Sequence, residues 1–317
     1  MRIVLTDAKT VSAGDIDLSL FSQFGEVVSY DHTTPEQVAS RIASADVVLL
    51  NKTILDKKAL DAAPHLKYIG VFATGYNVVD VDYCKERGIC VCNAGTYSTE
   101  AVAQTVFAFI LHHYSRVADY ARFVEEGGWR ASPTFSPFVF PTMELAGKTL
   151  GIVGYGSIGR KVADIALAFS MKVLVYTRTP SRQPDGRVCY VDFPTLLQNS
   201  DVISCHCPLT PLTSGLFDEV AFSQMKKGAY FVNTSRGGVV VEDALRHALE
   251  SEHLSGAGID VLTIEPMAQN CVLQGVKNLT ITPHVAWAPY ETRKRLVQIT
   301  QQNLRAYLEG HPQNVIV

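Results

Sequence analysis

Between a short apolar run, Leu150 to Val153, and a stretch with helical spacing lies the segment Gly151-Ile152-Val153-Gly154-Tyr155-Gly156-Ser157-Ile158-Gly159. The apolar residues after it, Ile158, Val162, Ile165, Ala166 and Phe169, recur at the three-and-four spacing of one helix face. A strand, a glycine turn and a helix in this order predict the opening crossover of a doubly wound parallel sheet and a dinucleotide-binding turn. Gly154 and Gly156 permit a tight turn and a close approach of backbone to a pyrophosphate, and Gly159 lets the helix pack against the strand. Ser157 and Ile158 open the helix, where backbone N–H groups and the helix dipole meet phosphate charge. Glycines alone also mark ordinary turns; the flanking strand and helix carry the reading.

A length of 317 residues suggests two domains, and 47% hydrophobic content supplies their cores. The net charge is -3, with lysines and arginines scattered, so neither nucleic acid nor a membrane is an expected partner. Met1 to Asp7 read as an immediate first strand rather than a signal peptide, and no run approaches membrane-spanning length. Seven cysteines, an odd number without a secretion signal, suggest reduced thiols and a cytoplasmic location. Cys205-His206-Cys207 contains metal-binding residue types, but strand alternation sets His206 on the opposite face from the cysteines. They are read as packing residues, and no metal is expected.

The first hundred residues alternate strand candidates with helical stretches: Ile3 to Leu5, Val27 to Tyr30, Val47 to Leu50, Tyr68 to Phe72 and Ile89 to Cys92. Leu55 to Ala63 form a helix candidate that stops near Pro64. A long helix follows, with Ser98 as N-cap and Glu100 in its first turn. Gly127 to Pro141, with no clear period, is expected to be an irregular surface loop. From Lys148 a second alternation has strands at 150–153, 172–176, 202–207, 229–233, 256–261 and 279–282. Helix returns from Tyr290 to Leu308, before a short Val315-Ile316-Val317, and is expected to cross back to the first domain. The expected fold class is α/β, with two Rossmann-like or flavodoxin-like parallel-sheet domains. A dinucleotide-binding domain, 98–284, is inserted into a discontinuous substrate domain, 1–97 plus 285–317, with a cleft between them.

In dinucleotide folds an acidic residue about 20 positions past the glycines binds the ribose 2′-hydroxyl. Here Val173 to Tyr176 runs instead into Thr177-Arg178-Thr179. An arginine suits a 2′-phosphate that a carboxylate would repel, so these three residues favour NADP(H) over NAD(H). The alternative is that Arg178 stacks on adenine or lies in solvent.

Ligands of open α/β sheets bind beyond the carboxyl ends of the strands. Polar residues predicted there are Arg236, Asp260, Glu265 and His284. Reducing a ketone by hydride leaves an alkoxide that must gain a proton, which suits His284. A carboxylate beside the imidazole would steady its protonated form and fix its tautomer, a task for Glu265. Arg236 suits a substrate carboxylate and can polarise the adjacent keto oxygen. Asp260 either orients the site or the cofactor, or caps a local turn.

The segments Leu66–Asp80 (LKYIGVFATGYNVVD), Glu144–Gly154 (ELAGKTLGIVG), Cys207–Thr210 (CPLT), Asn233–Gly238 (NTSRGG) and Gly258–Pro266 (GIDVLTIEP) occur in this order. With them the chain resembles, over nearly its whole length, the D-isomer-specific 2-hydroxyacid dehydrogenases. The resemblance implies an NAD(P)-dependent enzyme that interconverts a small 2-oxo acid and its D-2-hydroxy acid, with Arg236, Glu265 and His284 as the catalytic trio. It also implies that backbone amides around Ala73, Thr74 and Gly75 bind the substrate carboxylate, and that Thr105, Pro208, Thr234 and Asp260 belong to the cofactor site. A homodimer is expected. Within the family, Thr99–Gln104 (TEAVAQ), Asn51, Lys52 and His284–Trp287 (HVAW) are similar to glycerate dehydrogenases, also called hydroxypyruvate reductases. Hydroxypyruvate and D-glycerate are therefore the expected pair, with glyoxylate a second substrate. Asn51 and Lys52, at a strand end, would face the cleft. Trp287 would wall the pocket or else pack at a subunit interface. Thr177-Arg178 depart from the aspartate that many members carry. D-lactate and phosphoglycerate dehydrogenases are the alternatives within the family; a nucleotide-sensing, corepressor-like interaction protein is the alternative outside enzymology.

Overall fold

In a computed structural model the structure describes residues 1–178 and 186–317. Thr179 of the expected cofactor site lies outside the described residues. The chain divides into two compact units, Met1–Ser98 together with Ala288–Val317, and Thr99–Trp287.

In the first unit, strands β1 (Arg2–Leu5), β2 (Glu26–Ser29), β3 (Val47–Leu50), β4 (Tyr68–Val71) and β5 (Cys90–Cys92) form an all-parallel sheet in the order β2-β1-β3-β4-β5. This is the flavodoxin-like order. Every residue of β3 and β4 is buried, which explains why these central strands read as continuous apolar runs without alternation. Helices start where side chains satisfy their first amides. Thr34 and Gln37 form a capping box before Pro35–Ile42, while Asp56 and Asp80 accept from Ala59 N and Tyr83 N to open Lys57–Asp61 and Val81–Glu86. The last helix, Tyr290–Leu308, buries Leu296, Val297 and Leu304 and sets the Tyr307 ring 4.8 Å from that of Tyr68 on β4. The chain then pairs with β5, Ile316 N donating to Val91 O and Val91 N to Val317 O.

The second unit holds β6 (Thr149–Val153), β7 (Lys172–Tyr176), β8 (Cys189–Tyr190), β9 (Val202–Cys205), β10 (Ala229–Asn233), β11 (Leu254–Ile259) and β12 (Leu279–Ile281). They are parallel in the order β12-β11-β10-β9-β6-β7-β8, a Rossmann sheet with one extra edge strand. The extra strand is β12, next to β11; β8 holds the third place of the Rossmann order and was not expected, because two residues carry no readable period. Two other readings need correction. The strand expected over 202–207 stops at Cys205, and the stretch expected to be irregular holds a short helix, Gly128–Ala131. Helix Thr99–Ser115 buries Val106, Phe109 and Ile110 in one core layer with Ile152 and Val232. A Cβ on Gly258 of β11 would lie 2.5 Å from Phe109 Cγ, so glycine sets how closely this helix approaches the sheet. Among the described residues no helix is long and apolar enough to cross a membrane.

In each sheet the strand order reverses beside its first strand, between β1 and β3 and between β6 and β9. Both junctions are tied at their amino ends by an aspartate. Asp46 accepts from Arg2 N at 2.7 Å, and Asp201 accepts from Thr149 N at 2.8 Å while meeting Lys226 Nζ. Burial opposes the charge on Asp201, but Lys226 and the Thr149 amide outweigh it and hold its carboxyl below the ordinary range. A depressed folded-state pKa adds stability that is present above the unfolded value and lost as pH falls through the folded one. We expect Asp201→Asn to cost about 1–2 kcal/mol in urea unfolding at neutral pH. The difference from wild type should persist down to about pH 4 and fade below it.

Candidate active site and cofactor turn

The glycine turn after β6 is a meeting of backbones. Gly154 has φ +97°, and a Cβ there would lie 2.7 Å from His206 C and Cys207 N, beyond the end of β9. A Cβ on Gly159 would stand 2.3 Å from Gly154 O, so only glycine lets the helix Ser157–Ala168 start this close to the strand. Gly156, the residue before that helix, has open space where its Cβ would be. Ser157 and Ile158 form the first helical positions. Tight turn, close approach and close packing are thus divided among the three glycines as the motif predicts. At the end of β7, Thr177 is half-buried and Arg178 exposed.

The other expected cofactor residues are placed as follows. Thr234, just past β10, carries a buried hydroxyl with no hydrogen-bond partner among the described residues, a polar atom suited to a ligand. Thr105 Oγ1 bonds back to Ala101 O within its own helix, and Pro208 O accepts from Thr213 Oγ1. An open helix N-terminus, a turn that excludes side chains and an unsatisfied hydroxyl all fit a dinucleotide.

Three strand ends build the rest of this site. After β10, buried Asn233 folds the loop on itself: its Oδ1 accepts from Ser235 N and Oγ, and its Nδ2 donates to Arg236 O. Arg236 is half-buried, with Nη1 donating to Ser235 O. A Cβ on the next residue, Gly237, would lie 1.9 Å from Leu262 C, so the arginine loop rests directly on the loop that follows β11. There Glu265 Oε1 accepts from Leu262 N, and Glu242 Oε1 accepts from Thr263 N.

After β12, His284 adopts φ +55°, a left-handed conformation costly for a residue with a side chain. Asp260, 1% exposed, accepts from Thr282 Oγ1 at 2.5 Å, Val285 N at 2.9 Å and Ala286 N at 2.8 Å, and its own carbonyl accepts from His284 N. Of the readings open for Asp260, orientation of the histidine loop matches these bonds. Trp287 Nε1 donates to His284 O at 3.0 Å, closing the loop from the other side. So held, His284 Nδ1 lies 2.7 Å from Glu265 Oε2. A carboxylate can only accept, so Nδ1 carries a proton and Nε2 is left to exchange one with a ligand. By contrast, burial pushes the imidazole of His206 down to about 3, and Nε2 of that ring is spent on Ser204 Oγ. Among the described residues no group of three or more His, Cys, Asp or Glu is placed to hold a metal ion.

The expected substrate residues of the first unit lie at its own strand ends. After β4, Ala73 O accepts from Ala94 N and Thr74 O from Asn93 Nδ2, while Thr74 Oγ1 bonds Gly95 O. Thr74 is exposed, and Ala73 and Gly75 are half-buried. Asn93 O is in turn held by Asn303 Nδ2 of the last helix. After β3, Asn51 is buried with Nδ2 on Thr10, whereas Lys52 is exposed. Sequence reasoning missed the residues that hold these loops, namely Asp7, Asn93, Gly237 and Glu242. An acidic residue two positions after an apolar strand, as at Asp7, was the available signal, since a carboxylate buried there must find donors.

A family model described as "D-isomer specific 2-hydroxyacid dehydrogenase, NAD binding domain" matches residues 107–286. A hydroxypyruvate reductase of Blautia hydrogenotrophica is 42% identical over 320 residues, covering 100% of this chain and 99% of the relative. A glycerate dehydrogenase of Methylorubrum extorquens is 36% identical, covering 99% and 98%. The crystal structure of the TT0316 protein from Thermus thermophilus superposes with a TM-score of 0.90 at 35% identity, covering 100% of both chains. With the family model matching most of the second unit and the two relatives matching along both, the chain belongs to the D-isomer specific 2-hydroxyacid dehydrogenase family.

Proposed function

We propose that this protein is an NAD(P)-dependent oxidoreductase that reduces hydroxypyruvate to D-glycerate, with glyoxylate a second substrate. One observation carries the reading: an imidazole whose Nδ1 is engaged by a carboxylate at 2.7 Å, at the strand ends of a Rossmann sheet. A role limited to nucleotide sensing would have no use for that pair. The relatives, named as a reductase and a dehydrogenase, favour the same side.

The glycine turn, Thr234 and the end of β7 would hold the cofactor, which supplies hydride to the keto carbon when bound. Arg236 pairs with the substrate carboxylate through its planar fork and draws electron density toward the keto oxygen. The family resemblance assigns the backbone amides around Ala73–Gly75 and Lys52 of the first unit to the same substrate. As hydride arrives, the oxygen takes the proton of His284 Nε2, and Glu265 stabilises the ring through Nδ1. In the reverse direction the same nitrogen accepts the proton. Trp287 sets the position of this imidazole through its carbonyl.

Arg178, exposed at the end of β7 with no acidic neighbour at Thr177, supports NADP(H) as the preferred cofactor. In the second unit Trp129, Phe135 and Phe138 are 52%, 89% and 94% exposed, an apolar surface that supports a homodimer. Seven free thiols support a cytoplasmic setting.

Steady-state rates with NADPH and NADH across hydroxypyruvate, glyoxylate, pyruvate and 3-phosphohydroxypyruvate test the assignment. Hydroxypyruvate should give the highest kcat/KM, and no turnover with any of the four would refute it. His284→Ala should lose at least ~100-fold in kcat, and a near-normal rate would remove the imidazole from proton transfer. Arg178→Ala should lower kcat/KM about tenfold with NADPH, the scale of one charged hydrogen bond, and leave NADH within about twofold. Equal losses with both cofactors would remove the 2′-phosphate role.

A further inference from the structure

Two carboxylates grip successive amides of the loop that carries Glu265. Leu262 N donates to Glu265 Oε1 at 2.9 Å, and Thr263 N donates to Glu242 Oε1 at 2.7 Å. The second carboxylate comes from outside the loop and has no part in the mechanism above. Glu242 is the first residue of the helix Glu242–Glu250, and the residue before it, Val241, makes no side-chain cap. A glutamate in a first turn ordinarily serves its own helix by facing the positive end of the dipole. This one also spends an oxygen on a backbone amide 21 positions further along the chain.

The base of that carboxylate is fixed. Gly238 O accepts from Gly215 N, Val239 O accepts from Phe217 N, and Val241 N donates to Phe217 O, so the chain leading to Glu242 lies along a partner segment centred on buried Phe217. Beyond it the helix buries Ala244, Leu245, Ala248 and Leu249. The same stretch meets the Glu265 loop twice: at Gly237, where a Cβ would stand 2.3 Å from Thr263 N, and at Glu242. It thus carries Arg236 at its start and a clamp on the neighbouring loop at its end. Thr263 to Pro266 are all exposed, so packing does little to hold them. Released from Glu242, Thr263 N would find water at small cost in stability, but the loop would lose a fixed point two residues from Glu265.

We propose that Glu242 is a positioning residue for the acid/base pair: by holding the Thr263 amide it keeps Glu265 Oε2 on Nδ1 of His284, and so keeps the proton of the neutral ring on that nitrogen. Glu242, Thr263, Glu265 and His284 all belong to the second unit. Glu242 acts through Glu265 and not on the reacting atoms. Its effect on turnover rests on the oxidoreductase reading above, whereas its effect on the tautomer of His284 does not.

The test uses the full-length protein with Glu242→Ala and with Glu242→Gln, which keeps an oxygen able to accept. NMR spectra of protein carrying isotope-labelled histidine are recorded about two units above the ordinary histidine pKa, where the ring is neutral. The signal missing from His284→Ala identifies His284. It should report a ring protonated at Nδ1 in wild type and Glu242→Gln, and a mixture of tautomers in Glu242→Ala. With hydroxypyruvate, Glu242→Ala should lower kcat about tenfold, leave the KM for cofactor within about twofold, and lower the melting temperature by less than about 3 °C. Glu242→Gln should return kcat to within about threefold of wild type. In a Glu265→Gln background, Glu242→Ala should cost no further kcat. The proposal is overturned if Glu242→Ala keeps the wild-type tautomer, or if its loss of kcat persists undiminished beside Glu265→Gln. A purely structural role, equally fatal to it, would show as a lowered melting temperature with tautomer and kcat of the folded enzyme unchanged. Absence of turnover in the wild-type protein would sink the oxidoreductase reading alone, and the tautomer comparison would still decide whether Glu242 holds the pair.

Discussion

The loops of this protein are set by buried aspartates that accept hydrogen bonds from backbone amides which no strand can satisfy. A parallel sheet sends all its carboxyl ends to one edge, and the chain leaving there must find partners for N–H groups that have just lost their ladder. Asp260 does this for the loop of His284, and Asp7 does it for the loop of Lys52. Each stands one or two residues past a strand, each reaches the loop of the neighbouring strand, and each also takes a hydroxyl, from Thr282 or Thr53. At the opposite edge Asp46 and Asp201 tie the first residues of β1 and β6 to their neighbours. The same side chain does the same work in both sheets, because both pose the same problem.

Backbone packed against backbone is the second device. Gly154 against His206 and Cys207, Gly159 against Gly154, and Gly237 against Leu262 each occupy a place where a Cβ would stand at 1.9 to 2.7 Å from main-chain atoms. The first two shape the turn at the helix N-terminus. The third stacks the arginine loop on the glutamate loop, so that residues 29 apart in sequence are joined through two peptide groups rather than through side chains. A site built in this way loses little when a surface side chain changes and loses its register when one of these glycines does.

The strands were legible because their residues are β-branched, apolar and regularly spaced, and the last helix was read with the termini it has, Tyr290 and Leu308. The pairing of His284 with Glu265 was legible for a different reason: both stand just past strand ends, and strand ends of a parallel sheet converge. What could not be read was how each loop is held. Asp7 and Asn51 are 44 positions apart, and nothing in either neighbourhood names the other. Asn93 and Asn303 are joined across 210 positions, a bond that exists only because the last helix returns to the first unit. β8 was missed because Cys189 and Tyr190 are held in the sheet by β7 alone, through a pairing that two residues cannot announce. Local pattern reports elements; the bonds between loops depend on topology and become visible once the strand order is known.

The end of β11 shows how two carboxylates five residues apart acquire different work. Asp260 is 1% exposed and faces two amides and a hydroxyl whose positions are fixed by the chain, so moving it would strand buried donors. Glu265 has one oxygen on the Leu262 amide of its own loop and the other on His284, and its side chain is 36% exposed. Water can reach it. The rigid carboxylate fixes where the histidine stands, and the accessible one meets its ring. Exchanging their environments would leave a loop without its anchor and an imidazole without its partner, although the sequence would still hold the same two acids.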